Sequence, residues 1–320
     1  MFIEDVKKSK LIIEQHFHGA YGIDFANCTV DDVLYLSEKL LFHGIGGFFP
    51  TLATDTIENI KRQIEVIKEA KNKQQENSAK ILGIHLEGLF LNPEKKGIHD
   101  KNQFLDLTIE NFKLIEDDFI KIVTLAPELD KNFELTKYLK TKGIKVQAGH
   151  CVGGNLNECD GVTHLFNAMT PILHRGESTV LSALINDDLY TEIIADGVHL
   201  SDEALTLALK SKPKDKVILI SDCLPITNSD KTEMDFCNKT IYHNGEKATD
   251  KNGTLAGSTM LLDKIIERLL NKGINALDFI ENSYNYHNID IDGYVWWNKS
   301  NKIVAIEKGG NTFYRKDFLL

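Results

Sequence analysis

Apolar segments of strand type alternate with helical segments along most of this chain, and this alternation restricts the possible folds more than any other feature. The strand candidates are eight short runs, at residues 11–17, 46–49, 81–86, 120–125, 144–149, 162–165, 191–195 and 217–221. Helical periodicity is clearest at 56–76, 130–142, 178–186 and 201–211. Eight β-then-α units predict an α/β fold, a (β/α)8 TIM barrel rather than an open sheet.

The C-terminal part of the chain has a different pattern, typical of strands joined by tight turns. Turns are expected at Asn298–Asn301 and at Gly309–Gly310, and residues 235–250 look similar. We expect the chain ends and this insert to form a small β appendage, a reduced β-sandwich because only 15 residues precede His16. As domains we assign 11–285 to the barrel, with a β insert at about 233–252, and 1–10 and 286–320 to the appendage.

Composition excludes several classes of protein. A hydrophobic share of 42% in 320 residues is ordinary for a globular chain, with no apolar run near the ~18–20 residues of a membrane helix. The charged residues at the start do not fit a signal peptide. The net charge of −10 argues against a nucleic-acid binder but permits an anionic substrate. Five cysteines without a CxxC motif indicate reduced thiols in a cytoplasmic protein.

Histidines and carboxylates cluster where the predicted strands end. His85 is expected to lie behind a metal ligand rather than to be one. Six further side chains are expected to point inward at the mouth of the barrel, where barrel enzymes place their active sites. These six are His16, His18, Glu87, His150, His164 and Asp222. Imidazole nitrogens and carboxylate oxygens bind divalent metals, so the set predicts a metal site, with Zn²⁺ first and Mn²⁺, Fe²⁺ or Co²⁺ as alternatives.

Seven motifs carry a resemblance to a known family. They are HFHG at 16–19, GIHLEGLFLNPEKKGIHD at 83–100, AGH at 148–150, THLFNAMTPILHR at 163–175, ADGVHLS at 195–201, ISD at 220–222 and GTLAGS at 253–258. In this order the sequence resembles the amidohydrolase superfamily and, within it, the N-acetylglucosamine-6-phosphate deacetylases. The resemblance spans 16–258, about three quarters of the chain.

The resemblance implies a role for each matched residue. Glu87, His150 and His164 would hold the main metal, and His16 and His18 a second one, with Glu87 between them. Asp222 would bind metal and act as general base and acid, and His99 would face the acetyl group. Substrate binding would fall to Asn167, the backbone of Ala168, Arg175 and His199. In the family a neighbouring subunit supplies part of the phosphate site, which implies a homodimer.

The residues themselves leave other interpretations open. A less favoured alternative for Asp222 is a helix cap, and for Arg175 and His99 it is a solvated loop residue. His199 and Asn167 are also typical turn residues. Glu14 stands where an Asp usually precedes the HxH pair and Leu89 where a Pro usually follows HLEG, which leaves the metal count open. Cys151 and Cys223 directly follow two site residues and are either inert or thiol-sensitive.

The leading hypothesis is metal-dependent hydrolysis of N-acetylglucosamine-6-phosphate to glucosamine-6-phosphate and acetate. In this chemistry Asp222 moves the proton from water to the leaving amine, and Arg175 offers a planar donor fork to the phosphate. One alternative is a related amidohydrolase acting on N-acetylgalactosamine-6-phosphate or an N-acyl amino acid. The other is a degenerate, non-catalytic family member. The sequence does not determine the sugar epimer.

Overall fold

The computed structural model describes residues 6–314. Eight parallel strand positions form a nearly closed barrel, and each predicted strand is present. They are Ile12–Phe17, Ile45–Leu52, Ile84–Glu87 (with Lys80–Ile81 just before it), Ile120–Leu125, Lys145–Ala148, Gly161–Val162, Tyr190–Ile194 and Val217–Ile220. Neighbours in the sheet follow chain order from the first strand to the eighth. The predicted (β/α)8 barrel is therefore confirmed.

The barrel closes where its first and eighth strands meet. The Asp222 amide donates to the His16 carbonyl at 2.9 Å, and the His18 amide donates to the Cys223 carbonyl at 2.9 Å. The Glu14 carboxylate accepts from the amides of Ser221 and His16, each at 3.2 Å. Burial raises the pKa of Glu14 to about 8, against the lowering effect of these hydrogen bonds. The residue that departs from the family pattern thus joins the two strands that close the barrel.

Helices surround the strands. Within residues 6–314 they are Val30–Leu41, Ile57–Lys73, Ile109–Lys113, Glu134–Thr141, Thr179–Ile185, Asp202–Ser211, Leu262–Asn271 and Ile280–His287. The four predicted helices are present. The one expected from 130 begins at Glu134 because Asn132 and Phe133 have left-handed backbone angles, with φ of 55° and 56°. The sequence analysis did not identify Val30–Leu41, although Thr29 and Asp32 form a capping box at its start.

Two separate four-stranded antiparallel sheets lie outside the barrel, besides a two-stranded one of Gly19–Ala20 and Ile23–Asp24. The chain-end sheet has the order Lys7–Lys10, Tyr294–Trp297, Ile303–Lys308 and Asn311–Tyr314. The insert sheet consists of Glu233–Phe236, Lys239–His243, Ala248–Asp250 and Leu255–Gly257. Among the described strands those of the insert pair only with one another, so the insert and the chain ends form two sheets rather than one.

The turns expected in the chain-end sheet are present. The Asn301 amide donates to the Asn298 carbonyl at 2.9 Å, and Gly309 and Gly310 have positive φ. The outermost parts of the expected appendage, 1–5 and 315–320, lie outside the described residues. In the part of the chain that is described, no helix has the length and apolar character to cross a bilayer.

Candidate metal centre and active site

Two groups of metal-ligating side chains share one carboxylate at the C-terminal mouth of the barrel. The first group has its ring nitrogens facing Glu87 Oε2: His16 Nε2 and His18 Nε2 each lie 3.1 Å from it. Asp222 Oδ1 completes this group, at 3.4 Å from His16 Nε2 and 3.3 Å from His18 Nε2. All four residues are buried, and their donor atoms lie close enough together to hold one ion.

The second group faces the other oxygen of Glu87. His164 Nε2 lies 2.9 Å and His150 Nε2 3.3 Å from Glu87 Oε1. The two ring nitrogens are 3.1 Å apart. Since each Glu87 oxygen faces a different group, this carboxylate stands between two adjacent ligand sets.

Hydrogen bonds on the side of each ring away from Glu87 determine which ring nitrogen faces the centre. His150 Nδ1 donates to the Lys95 carbonyl at 2.7 Å, and His16 Nδ1 donates to Glu192 Oε2 at 2.9 Å. Both rings therefore turn Nε2 toward the centre, and this atom binds metal when the ring is neutral. Within the described chain, the Nδ1 atoms of His18 and His164 are buried without a hydrogen-bond partner.

Negative charge dominates the centre. The buried carboxyl groups of Glu87, Glu192 and Asp222 have histidines as their ionic partners among the described residues. Burial lowers the pKa of His16, but these carboxylates outweigh it and hold that pKa well above the ordinary value. The same imidazole holds the pKa of Asp222 below its usual range despite burial. The centre therefore favours additional positive charge.

The backbone is strained at three of the candidate ligands. His150, His164 and Asp222 have φ of 48°, 29° and 50°, in the left-handed region that non-glycine residues rarely adopt. Each such residue costs of order 1–3 kcal/mol, and this cost is concentrated at functional sites. Since all three follow barrel strands, the strain serves to turn their side chains into the mouth.

A pocket of about 350 Å³ opens above the metal centre. His99 is buried at its wall, with Nδ1 2.9 Å from Thr54 Oγ1 and Nε2 3.9 Å from Glu87 Oε2. Burial, and then His150, hold the pKa of His99 well below its ordinary value, so this ring is neutral. His199 Nδ1 lies 2.8 Å from Asp196 Oδ2. Of the predicted site residues, the pocket is lined by His18, Glu87, His99, His150, His164, Asn167, Ala168, His199 and Asp222.

Arg175 is the predicted substrate-binding residue that the structure does not bring to this pocket. It lies on an exposed loop, 171–177, together with the exposed side chains of Ile172 and Leu173. His85 also lies outside the ligand groups, as expected. Its Nε2 is 2.8 Å from Thr124 Oγ1, and its ring packs against the His16 ring at 4.6 Å between centroids.

Sequence reasoning missed several residues near the centre. Glu192 could have been identified from the sequence, because it is a single charged residue inside an apolar strand. Thr254–Gly257 lines the pocket within the quoted GTLAGS motif but received no role. Cys151 and Cys223 are buried, and burial raises the pKa of Cys151 to about 12, as expected for an inert thiol.

Comparison with known proteins identifies the family. No protein-family model matches the chain. A Bacillus subtilis (strain 168) protein named N-acetylglucosamine-6-phosphate deacetylase is 33% identical over 265 residues, 79% of this chain and 67% of that protein. This chain belongs to the N-acetylglucosamine-6-phosphate deacetylase family. An N-acetylgalactosamine-6-phosphate deacetylase of Escherichia coli O157:H7 is 26% identical over 317 residues, 93% of this chain and 82% of that protein.

Solved structures of deacetylases in this family share the fold. The Thermotoga maritima N-acetylglucosamine-6-phosphate deacetylase superposes with a TM-score of 0.87 at 24% identity, covering 96% of this chain and 89% of that one. A mutant of the Mycobacterium smegmatis enzyme, in complex with N-acetyl-D-glucosamine-6-phosphate, also has a TM-score of 0.87, at 20% identity, covering 96% and 87%. The barrel with its small sheet domain is thus the fold of these deacetylases.

Proposed function

We propose that this family member hydrolyses the acetamide of N-acetylglucosamine-6-phosphate, giving acetate and glucosamine-6-phosphate. Water supplies the hydroxyl of the acetate, and its proton goes to the amine that leaves. The observation that carries the proposal is the pair of ligand groups sharing Glu87 on the floor of the pocket. Membership of the deacetylase family gives the substrate class.

The residues present fit a divalent metal. The donors are imidazole nitrogens and carboxylate oxygens, and the Nε2 atoms of His150 and His164 lie 3.1 Å apart and both face Glu87 Oε1. With these nitrogens unprotonated, as metal binding requires, a cation between them would offset the charge of the buried carboxylate. We propose Glu87, His150 and His164 for one ion and His16, His18, Glu87 and Asp222 for the other. Zn²⁺ is the first candidate, followed by Fe²⁺, Mn²⁺ and Co²⁺.

A bound divalent ion lowers the pKa of water and polarises a carbonyl, which is the activation that amide hydrolysis needs at neutral pH. Asp222 is the carboxylate of the centre that also lines the pocket on the side of the eighth strand. Its pKa lies below the ordinary value, so it is ionised and accepts a proton from the attacking water. It then returns this proton to the nitrogen as the C–N bond breaks.

His99 is placed to stabilise charge on the acetyl oxygen. When the Thr54 hydroxyl donates to Nδ1, the neutral ring carries its hydrogen on Nε2, toward the pocket. A donor fixed in this way acts on the developing oxyanion without reorganising. His199, held by Asp196, contributes the corresponding Nε2 to the sugar.

The phosphate subsite uses groups from two subunits in this proposal. Asn167 and the backbone of Ala168 lie in the pocket, whereas Arg175 projects from the exposed loop 171–177. We propose that this loop packs against a second copy of the chain and delivers Arg175 to the partner's phosphate. Ile172 and Leu173 are 45% and 39% exposed and would be covered in such a homodimer.

A cytoplasmic location is part of the proposal, supported by five free cysteines. We also propose the domain division at 11–285, with 1–10 and 286–320 as the appendage. Nothing in the pocket favours an N-acyl amino acid or a loss of catalysis. N-acetylgalactosamine-6-phosphate is a second candidate substrate, because its deacetylase aligns with 93% of this chain.

The test is acetate release by the metal-loaded protein from both phosphorylated epimers, with unphosphorylated N-acetylglucosamine as control. Faster release from N-acetylglucosamine-6-phosphate is expected. Faster release from the galactosamine epimer would reassign the substrate, and no release from either would refute deacetylation of these sugar phosphates. For the dimer, we would mix Arg175→Ala with Asp222→Asn, because shared sites restore activity only if Arg175 acts across the interface.

A further inference from the structure

A buried chain of hydrogen bonds runs from the outer side of the barrel wall to the metal centre. His287 Nε2 lies 3.0 Å from Gln15 Oε1, and Gln15 Nε2 donates to Glu192 Oε1 at 2.6 Å. Glu192 Oε2 in turn accepts from His16 Nδ1 at 2.9 Å. Gln15, Glu192 and His16 are each 0% exposed, so the Gln15–Glu192 and Glu192–His16 hydrogen bonds are shielded from solvent.

The chemistry of the four groups determines which group is the donor in each of these hydrogen bonds. An ionised carboxylate can only accept hydrogen bonds, and Glu192 Oε1 lies 2.6 Å from Gln15 Nε2. It therefore requires the amide nitrogen of Gln15, which leaves the Gln15 oxygen to face His287. Burial lowers the pKa of His287 to about 3, so this neutral ring donates from Nε2. At the other end, His16 must carry its hydrogen on Nδ1.

Three donors point at the Glu192 carboxylate. Besides Gln15 Nε2 and His16 Nδ1, the backbone amide of His164 lies 3.3 Å from Glu192 Oε2. A glutamine at this position has one acceptor oxygen and two hydrogens of its own, so it cannot satisfy all three. An ionised carboxylate is the side chain that fits, and its charge adds to the basicity of His16.

We propose that Glu192 is a positioning residue of the metal centre, which holds His16 in the Nδ1–H form and thereby sets the affinity of the His16, His18 and Asp222 group for its ion. This inference rests on the proposed function, because it assumes a metal at that group. His150 Nδ1 instead donates to the Lys95 carbonyl, and His164 contacts Glu192 through its backbone amide rather than its ring, so the main effect falls on the group that contains His16. Outer partners of this kind typically change metal affinity 10–100-fold.

The experiment compares Zn²⁺ binding by the wild-type protein and Glu192→Gln over a range of buffered free zinc, with the bound metal counted per chain. We expect one of the two ions to bind about 10–100-fold more weakly in the variant and the affinity for the other to change much less. Thr191→Val is the matched control, because the neighbouring Thr191 hydroxyl is buried without a hydrogen-bond partner in the described structure. It should bind both ions normally.

A second readout reports the hydrogen bond itself. The His16 Nδ1 proton is buried against a carboxylate, so it should give a low-field proton NMR signal that is present in Thr191→Val and absent in Glu192→Gln. If Glu192→Gln does not fold, Gln15→Leu removes one donor from the same carboxylate and should weaken the same ion less. Unchanged binding of both ions in the folded variant overturns the inference and leaves the deacetylase proposal intact. A wild-type protein that binds no metal overturns both.

Discussion

Replacing Gly88 with alanine tests how closely two barrel strands must approach for the metal centre to form. Gly88 directly follows Glu87, the carboxylate shared by both ligand groups. A Cβ at this position would lie 2.6 Å from Thr54 N and 2.7 Å from Thr54 Cα. These are backbone atoms, so rotation of a side chain cannot relieve the overlap.

The size of the effect follows from that distance. Ordinary van der Waals contact begins at 3.4 Å, so the chain must open by about 0.8 Å, and errors near 1 Å at catalytic groups cost roughly 100-fold in rate. The Thr54 hydroxyl is hydrogen-bonded to His99, and Glu87 belongs to both ligand groups. The substitution would therefore displace both His99 and the ligand groups. We expect kcat/KM for acetate release to fall about 100-fold and the free energy of unfolding to fall by about 1–3 kcal/mol.

The assay combines acetate release under steady-state conditions with denaturant unfolding. Gly154→Ala is the matched control, since the nearest atom to its new Cβ is the hydroxyl of Ser182, at 2.9 Å, which can rotate away. It should keep nearly full activity. Wild-type kcat/KM in Gly88→Ala would show that the approach of the two strands does not position the centre.

The proton acceptor, the metal and one buried lysine give three further tests. Asp222→Asn should lower kcat about 10²–10⁴-fold by removing the proton acceptor, and normal turnover in a steady-state assay would exclude that role. Removal of metal with a chelator should abolish acetate release and lower the melting temperature, and added Zn²⁺ should restore both, because an ion held at 1,000 times its Kd contributes about 4 kcal/mol. Lys308 is 3% exposed and donates to the Ser78 carbonyl, and burial lowers its pKa to about 8. The unfolded chain therefore binds more protons than the native state from about pH 8 to 10. The stability of the wild type relative to Lys308→Met should rise over that range by at most about 1.4 kcal/mol per pH unit, as measured by denaturant unfolding; a flat difference would contradict the buried ammonium.

Local sequence signals were sufficient for most of the barrel. Apolar residues repeat every two positions in a strand and every 3.6 positions in a helix, and both patterns can be recognised from residues close together in the sequence. Ser201 predicted the start of its helix, and its hydroxyl accepts from the Ala204 amide at 3.3 Å. The helix Val30–Leu41 was equally predictable from the sequence, because Thr29 and Asp32 at its start form a capping box.

Local sequence signals did not show that the insert and the chain ends form two separate antiparallel sheets. Strand patterns show that 235–250 and the chain ends form strands, but pairing depends on which edges meet after the barrel has closed. The insert sheet extends to Gly257 and packs beside the mouth, where Phe236 lies against the His18 ring at 5.1 Å between centroids. The chain-end sheet instead pairs Lys7–Lys10 with Tyr294–Trp297, residues almost 300 positions apart.

The sequence by itself determined the strand order, the position of each candidate ligand at a strand end and the chemical class of the centre, because each of these depends on residue type and short spacing. Only the tertiary structure decided that Glu87 offers one oxygen to each ligand group, that Glu192 stands behind His16, and that Arg175 lies outside the pocket of its own chain. The physical reason is that these relations join atoms on strands and loops far apart in the sequence, and their distances of about 3 Å exist only once the barrel has closed.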